Sequence, residues 1–207
     1  MKRCYPPLWL AASALLVLLL PAARATTVIA PTFDRMVASS DYIVRATVKS
    51  VVSDWRQNPD KPGERYIGSM VELNVLEVIK GTPPSPLVLD LVGGRVGDKE
   101  LTIEGMPKFV VGEETILFVK GNGRQIIPLV GMMHGKYNVR HNKLTGRDEV
   151  FRHNGDPLYN EQDISRAAST DGAPSSQQTK AANPLTASDF ATRIRNSAKS
   201  SNRESSK

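Results

Sequence analysis

Three histidines, His134, His141 and His153, are the side chains of this chain best suited to proton transfer or metal ligation. Their spacings of seven and twelve residues fit no pair on one helix face and no ligand pattern. His141 and His153 flank what reads as a final hairpin and are expected in solvent. Carboxylates occur in adjacent pairs, Glu113-Glu114 and Asp148-Glu149. Neighbours on a strand point to opposite faces, so neither pair can work as an acid–base couple. There is no Gly-x-Ser-x-Gly, and the lone cysteine, Cys4, lies at the extreme N-terminus. Gly93-Gly94-Arg95-Val96-Gly97 is glycine-rich but precedes no helical pattern, so it reads as a turn and not a phosphate cradle. No nucleophile–base–orienter set can be assembled. The expectation is a protein with no catalytic residues, no cofactor and no metal ligands.

What the residues do specify is strands. Ser39 to Val52 alternates: Tyr42, Val44, Ala46, Val48 and Val52 share one parity, and Arg45, Thr47 and Lys49 hold most of the other. Period two over this length predicts a long strand with one wet and one dry face. Met70 to Ile79 is a second long strand. Its parity flips after Val75, as a bulge or sharp coil would require. Between them, Asp54 to Arg65 carries two prolines, a glycine and six charges and reads as a loop. Trp55 in that loop is either a partner-contacting aromatic or the cap of one end of the fold. Lys80 to Pro86 is a stiff turn, and Leu87, Leu89 and Leu91 give a third strand. Leu101 and Ile103 suggest a brief strand, and Gly105 to Glu114 is irregular. Thr115 to Val119 is a continuous apolar run, so a strand buried on both faces. Ile126 to Val130 returns after Gly121-Asn122-Gly123, and Tyr137–Val139 with Glu149–Phe151 closes a last hairpin. Ahead of the first long strand, Phe33, Met36 and Val37 predict one or two helical turns, with Thr32 as N-cap. Bends of this kind let short strands close into a small barrel.

The ends of the chain differ from this middle. Lys2 and Arg3, the apolar run Leu8 to Leu20 and Ala23-Arg24-Ala25 form the pattern of a cleavable signal peptide over residues 1–25. Thirteen apolar residues are too few for a span, which needs roughly 20, so no stable membrane insertion is expected after cleavage. A periplasmic or secreted product beginning at Thr26, without cysteine, follows. Of the formal net charge of +6, Lys2, Arg3 and Arg24 leave with the signal. Residues 26–159 carry 17 basic and 16 acidic side chains, which gives no basic field for nucleic acid. Residues 160–184 are rich in Ser, Ala, Gln and Thr and read as a disordered linker. In residues 185–207, Thr186 to Asp189 fits a capping box, and Leu185, Phe190 and Ile194 line one side of a short helix. That helix either docks back on the domain or serves a partner. Ser197 to Lys207 is expected to be disordered.

Ser39-Ser40-Asp41-Tyr42-Ile43-Val44-Arg45-Ala46-Thr47-Val48, followed by Val71 to Gly81 with its Lys-Gly ending, resembles the opening of the netrin-like domain. That domain is the OB-type barrel of tissue inhibitors of metalloproteinases, and the resemblance covers about 25 residues. Gly105 to Glu114 also resembles a segment of exported bacterial proteins that share the opening strand. The resemblance implies an all-β, five-stranded closed Greek-key barrel of OB type, with one short helix and a flexible C-terminal arm. In the inhibitors an N-terminal cysteine chelates the protease zinc through its α-amino group and carbonyl, and a disulfide clamps it. Here Thr26 stands at that end, and nothing fixes its geometry. The expected function is an exported, non-enzymatic protein-binding module, with a secreted metalloprotease as the partner class the resemblance implies. Thr26, Thr27, Val28 and Trp55 are the candidate partner-binding residues. The alternative is an envelope-associated barrel for a small molecule or glycan.

Overall fold

The structure is a computed structural model and describes residues 31–58, 61–165 and 183–204. The expected signal peptide, Thr26, Thr27, Val28 and residues 166–182 of the expected linker lie outside the described residues. In chain order the elements are α1 (Phe33–Ser39), β1 (Tyr42–Gln57), β2 (Arg65–Lys80), β3 (Leu87–Val92), β4 (Gly94–Val96), β5 (Lys99–Leu101), β6 (Glu114–Val119), β7 (Lys136–Asn142), β8 (Arg147–Phe151) and α2 (Ala187–Glu204).

The closed five-stranded barrel is not formed. One sheet holds six antiparallel strands in the order β3-β2-β1-β6-β7-β8, with β4 and β5 as a separate hairpin, and neither sheet closes. Two features explain the difference. The last hairpin, β7–β8, adds outward beyond β6 and does not return to β3. The Ile126–Val130 segment, expected as a strand, makes only the isolated bridge Val119↔Leu129. Pro128 within it has no N–H to offer a ladder. It covers the flank of β3 through one backbone contact, Val92 N–H to Ile126 O (3.0 Å), and the Asn122 side chain of the preceding turn donates to Val88 O (2.7 Å).

β1 and β2 are long because their ladder absorbs its irregularities. Ala46 faces Val75 and Arg45 faces Glu77, leaving Leu76 as the extra residue, where the alternation in sequence flips. Further register shifts fall at Ile43/Val44 and Val48/Ser50. The ladder then continues regularly to Gln57↔Arg65, so the expected loop Asp54–Arg65 is in fact strand at both ends. Cross-strand pairs such as Trp55↔Ile67 and Arg56↔Tyr66 hold these polar residues extended. The Lys80-Gly81 ending has a structural reason. Lys80 Nζ donates to Val37 O (2.6 Å) and Ser40 O (2.7 Å), capping the C-terminal carbonyls around α1. Gly81 has φ +74°, and a Cβ there would lie 2.3 Å from Asp41 O.

The sheet is covered on both faces. On one, Phe33, Met36 and Val37 of α1 and Phe190, Ala191 and Ile194 of α2 pack on Ile43, Ile116, Phe118 and Tyr137. On the other, Val44, Ala46, Val48, Leu117 and Val119 pack with Leu87, Leu89 and Leu91. β6 supplies both cores, as its continuous apolar run requires. α2 begins with the expected cap, Asp189 N–H to Thr186 Oγ1 (3.0 Å), but runs to Glu204 in place of the short helix and disordered end. It docks back on the sheet. Phe190 lies 5.1 Å from Tyr137 and 6.0 Å from both Phe33 and Phe118, centroid to centroid. Phe190→Ala should therefore cost about 3–5 kcal/mol in chemical denaturation. Leu144→Ala, at a side chain 97% exposed, should leave the midpoint unchanged.

Candidate functional site

β1 has two different flanks. From Ile43 to Thr47 it is paired by β2 on one side and β6 on the other. At Val48 the chain leading into β6 peels away, with Val48 N–H on Glu113 O (2.9 Å) and Gly112 N–H on Val48 O (2.8 Å). From Lys49 to Gln57 the side of β1 away from β2 has no strand partner among the described residues. The result is a stretch of β1 with one open backbone edge; β3 still pairs β2 opposite it over Gly68–Leu73, and only Trp55–Gln57 with Arg65–Ile67 run on as a two-stranded ribbon.

Cross-strand partners share a face, so the surfaces of this stretch can be read from its register with β2. Val52 and Met70 face each other and are 53% and 48% exposed. Val51 and Trp55 lie on the opposite face with Ile67 and Val71 and are about one-third exposed. Val110 and Val111 are exposed at the turn where the chain leaves β1. Singly, such residues need no explanation. Adjacent to a free backbone edge, they make a surface on which an extended chain can both hydrogen-bond and bury side chains. Charges flank it: Lys49 pairs with Glu72 (2.7 Å), and Arg56 pairs with Asp90. Charges on an edge oppose its pairing with another copy of itself.

Of the residues expected to bind a partner, Trp55 is the one described. It lies on β1 and not in a loop, and the Arg65 guanidinium sits 5.4 Å from its ring centroid. Thr26, Thr27 and Val28 fall outside the described residues.

The histidines separate into two environments. His141 Nδ1 lies 2.8 Å from Asp148 Oδ1, and the Arg45 guanidinium reaches Asp148 Oδ2 at 2.9 Å as well as Glu114. The His141 hydrogen bond, then Arg45, holds the Asp148 carboxyl below its ordinary value. His153, expected in solvent, is instead half-buried with its ring edge-to-face on His134 at 5.4 Å. The fold brings together two residues nineteen positions apart, one in a 3-10 turn and one after β8. Burial above all, then His134 and Arg152, holds His153 down at about 4. Burial, then Arg152, lowers His134 as well. No three histidine, cysteine or acidic side chains converge as a metal cluster among the described residues.

No protein-family model matches the chain, and no curated protein is found to be similar to it.

Because His153 takes its proton less readily folded than unfolded, the unfolded chain is protonated first as pH falls. Stability should hold above about 6.5, the ordinary histidine value, and fall progressively toward about 4. In denaturant melts across that window, His153→Gln should flatten the decline, leaving the smaller part due to His134.

Proposed function

We propose that this chain is a non-enzymatic protein-binding module that accepts an extended segment of its partner along the open edge of β1. The observation that carries this reading is the eight regular ladder residues Ser50–Gln57, paired on the β2 side alone, with Val51, Val52 and Trp55 exposed along them. Main-chain hydrogen bonds to such an edge supply affinity, and alternate side chains supply selectivity. A rigid strand carries little ordering cost into the complex, which favours binding over a flexible loop of the same composition. The indole of Trp55, steadied by Arg65, is the anchor in this reading, since buried aromatic anchors dominate interface energetics. Export to the periplasm or the medium follows from the signal pattern in residues 1–25. A secreted metalloprotease is the partner class that the netrin-like opening suggests.

The experiment is a binding screen of the purified protein against secreted metalloproteases and extended peptides from their surfaces. Trp55→Ala should weaken the captured complex by about 2 kcal/mol or more, roughly 30-fold. Val52→Lys should do so comparably, because its charge would be desolvated at the interface. Both variants should keep their stability to within about 1 kcal/mol, as the sites are partly exposed. A screen in which no protease or peptide binds, or in which both variants bind as tightly as the parent, overturns the reading.

A further inference from the structure

A cleft of about 440 Å³ opens beside the 3-10 turn Met132–Gly135. Its walls divide by chemistry. Met106, Pro107, Val110 and Met133 are apolar, and Lys108, Lys136 and Asn138 are cationic or polar. We propose that this cleft binds a small monocarboxylate with an apolar body. The carboxylate is held by the Asn138 amide and the Lys108 ammonium within the field of Lys136, and the body lies on the apolar wall. Asn138 carries the argument. Lys136 Nζ lies 2.8 Å from Asn138 Oδ1. An ammonium can only donate, so the amide oxygen faces Lys136 and the amide nitrogen is turned away from it. That nitrogen donates to nothing among the described residues. It is not sealed either, since the one unpartnered buried side-chain nitrogen among the described residues is His153 Nε2. Asn138 therefore presents a free, oriented donor in the wall of the cleft.

The charge count fits one negative group. Glu113 is the carboxylate of the wall, and its Oε1 is taken by Lys136 (2.8 Å) and by Val110 N–H (2.9 Å). Burial holds His153 down at about 4, so it is neutral at pH 7. Two lysines against one glutamate leave the wall at +1. Lys108 has no ion pair or hydrogen bond among the described residues, so its charge is free to pair with a ligand. Lys136 is a positioning residue. Its side chain is only 5% exposed, and it orients Asn138 and adds a fixed positive charge behind it. A buried ion pair is dispensable to a fold, since apolar residues of similar volume often serve as well or better. A charge-recognising site does need one. The apolar part of the wall selects against an inorganic anion, which would leave it bare, and the volume is in the range of small-molecule sites, about 300–1,000 Å³. The plain alternative is a solvated cleft in which Asn138 donates to water alone. That alternative gives no preference for a charged ligand over its neutral counterpart.

Hexanoate is the probe, with hexanamide as its neutral counterpart and inorganic phosphate as an anion without an apolar body. Each would be titrated into the purified protein at pH 7 while the asparagine side-chain amide and methionine methyl NMR signals are followed. Hexanoate should move the Asn138 amide and the Met133 methyl along one saturating curve. The buried methyl of Met36 and the exposed methyl of Met70 should stay in place. Hexanamide and phosphate should each bind roughly tenfold more weakly or worse, because hydrogen bonds to an ionised group are about twice as strong as neutral ones and phosphate buries no apolar surface. Lys108→Gln should weaken hexanoate roughly tenfold. Asn138→Asp keeps an acceptor for Lys136 but sets a second negative charge against the ligand. It should weaken hexanoate roughly tenfold or more while thermal stability is kept, an outcome that a purely structural Asn138 would not give. Should Asn138→Asp fail to fold, Lys108→Gln, at an exposed side chain, decides alone. Any of four results would overturn the assignment: no saturable shift with hexanoate, hexanamide or phosphate binding as tightly as hexanoate, the Met70 methyl moving with that of Met133, or hexanoate affinity unchanged in Lys108→Gln. This inference stands apart from the open edge of β1: protease binding can fail while the hexanoate titration succeeds, and the reverse.

Discussion

The unequal pairing of β1 is the constraint from which the rest of the molecule follows. One strand makes backbone hydrogen bonds on both sides for its first part and on one side for its second. In the doubly paired part Ile43 and Val44 are fully buried on opposite sides of the sheet, while Arg45, on the Ile43 face, is held by Glu114 and Asp148. α1 and α2 cover the Ile43 face and β3 with the loops covers the Val44 face, because each apolar patch needs a cover. The singly paired part is more polar. It carries Lys49, Asp54 and Arg56 in place of a second apolar parity, and its backbone edge stays open.

The two ends of the described chain are joined by the same logic. α1 precedes β1 and α2 closes the described residues, yet they meet over the same face through Phe33 and Phe190. The ion pair of Arg195 with Glu77 ties α2 to the bulged part of β2, and Ser197 Oγ donates to Asp34 Oδ1 at 2.7 Å. Without α2, Phe118 and Tyr137 would lose the ring that both contact. The C-terminal helix is thus part of the core and is not an arm held away from it.

Two surfaces with different physics adjoin the segment 109–113. The open edge of β1 offers unpaired main chain and scattered apolar side chains, the equipment for grasping another chain. The cleft by the 3-10 turn is lined by Met106, Met133, Glu113, Lys136 and His153. Glu113 belongs to both neighbourhoods. Its carbonyl accepts from Val48 where β1 loses β6, and its carboxylate holds Lys136 in the cleft wall. The segment 109–113 therefore ends the two-sided pairing and builds one wall of the cleft.

Much of the fold was readable from side-chain order alone, because local periodicity reports which face of an element is dry. The long strands, the bulge at Leu76, the doubly buried run of β6, the last hairpin, the Thr32 cap and the Thr186 capping contact are all local signals. Closure was not readable. Whether β3 meets another strand depends on Pro128 and on the direction in which β7–β8 adds, and neither leaves a periodic trace. The length of α2 was missed because Ser197 to Glu204 is polar, and a polar turn extends a helix whose start is held by tertiary packing. Trp55 was visible as an aromatic among charges, but its place on a strand edge was not. The meeting of His134 and His153 comes from loops folded against β7 and β8, a proximity in space that no spacing in sequence encodes.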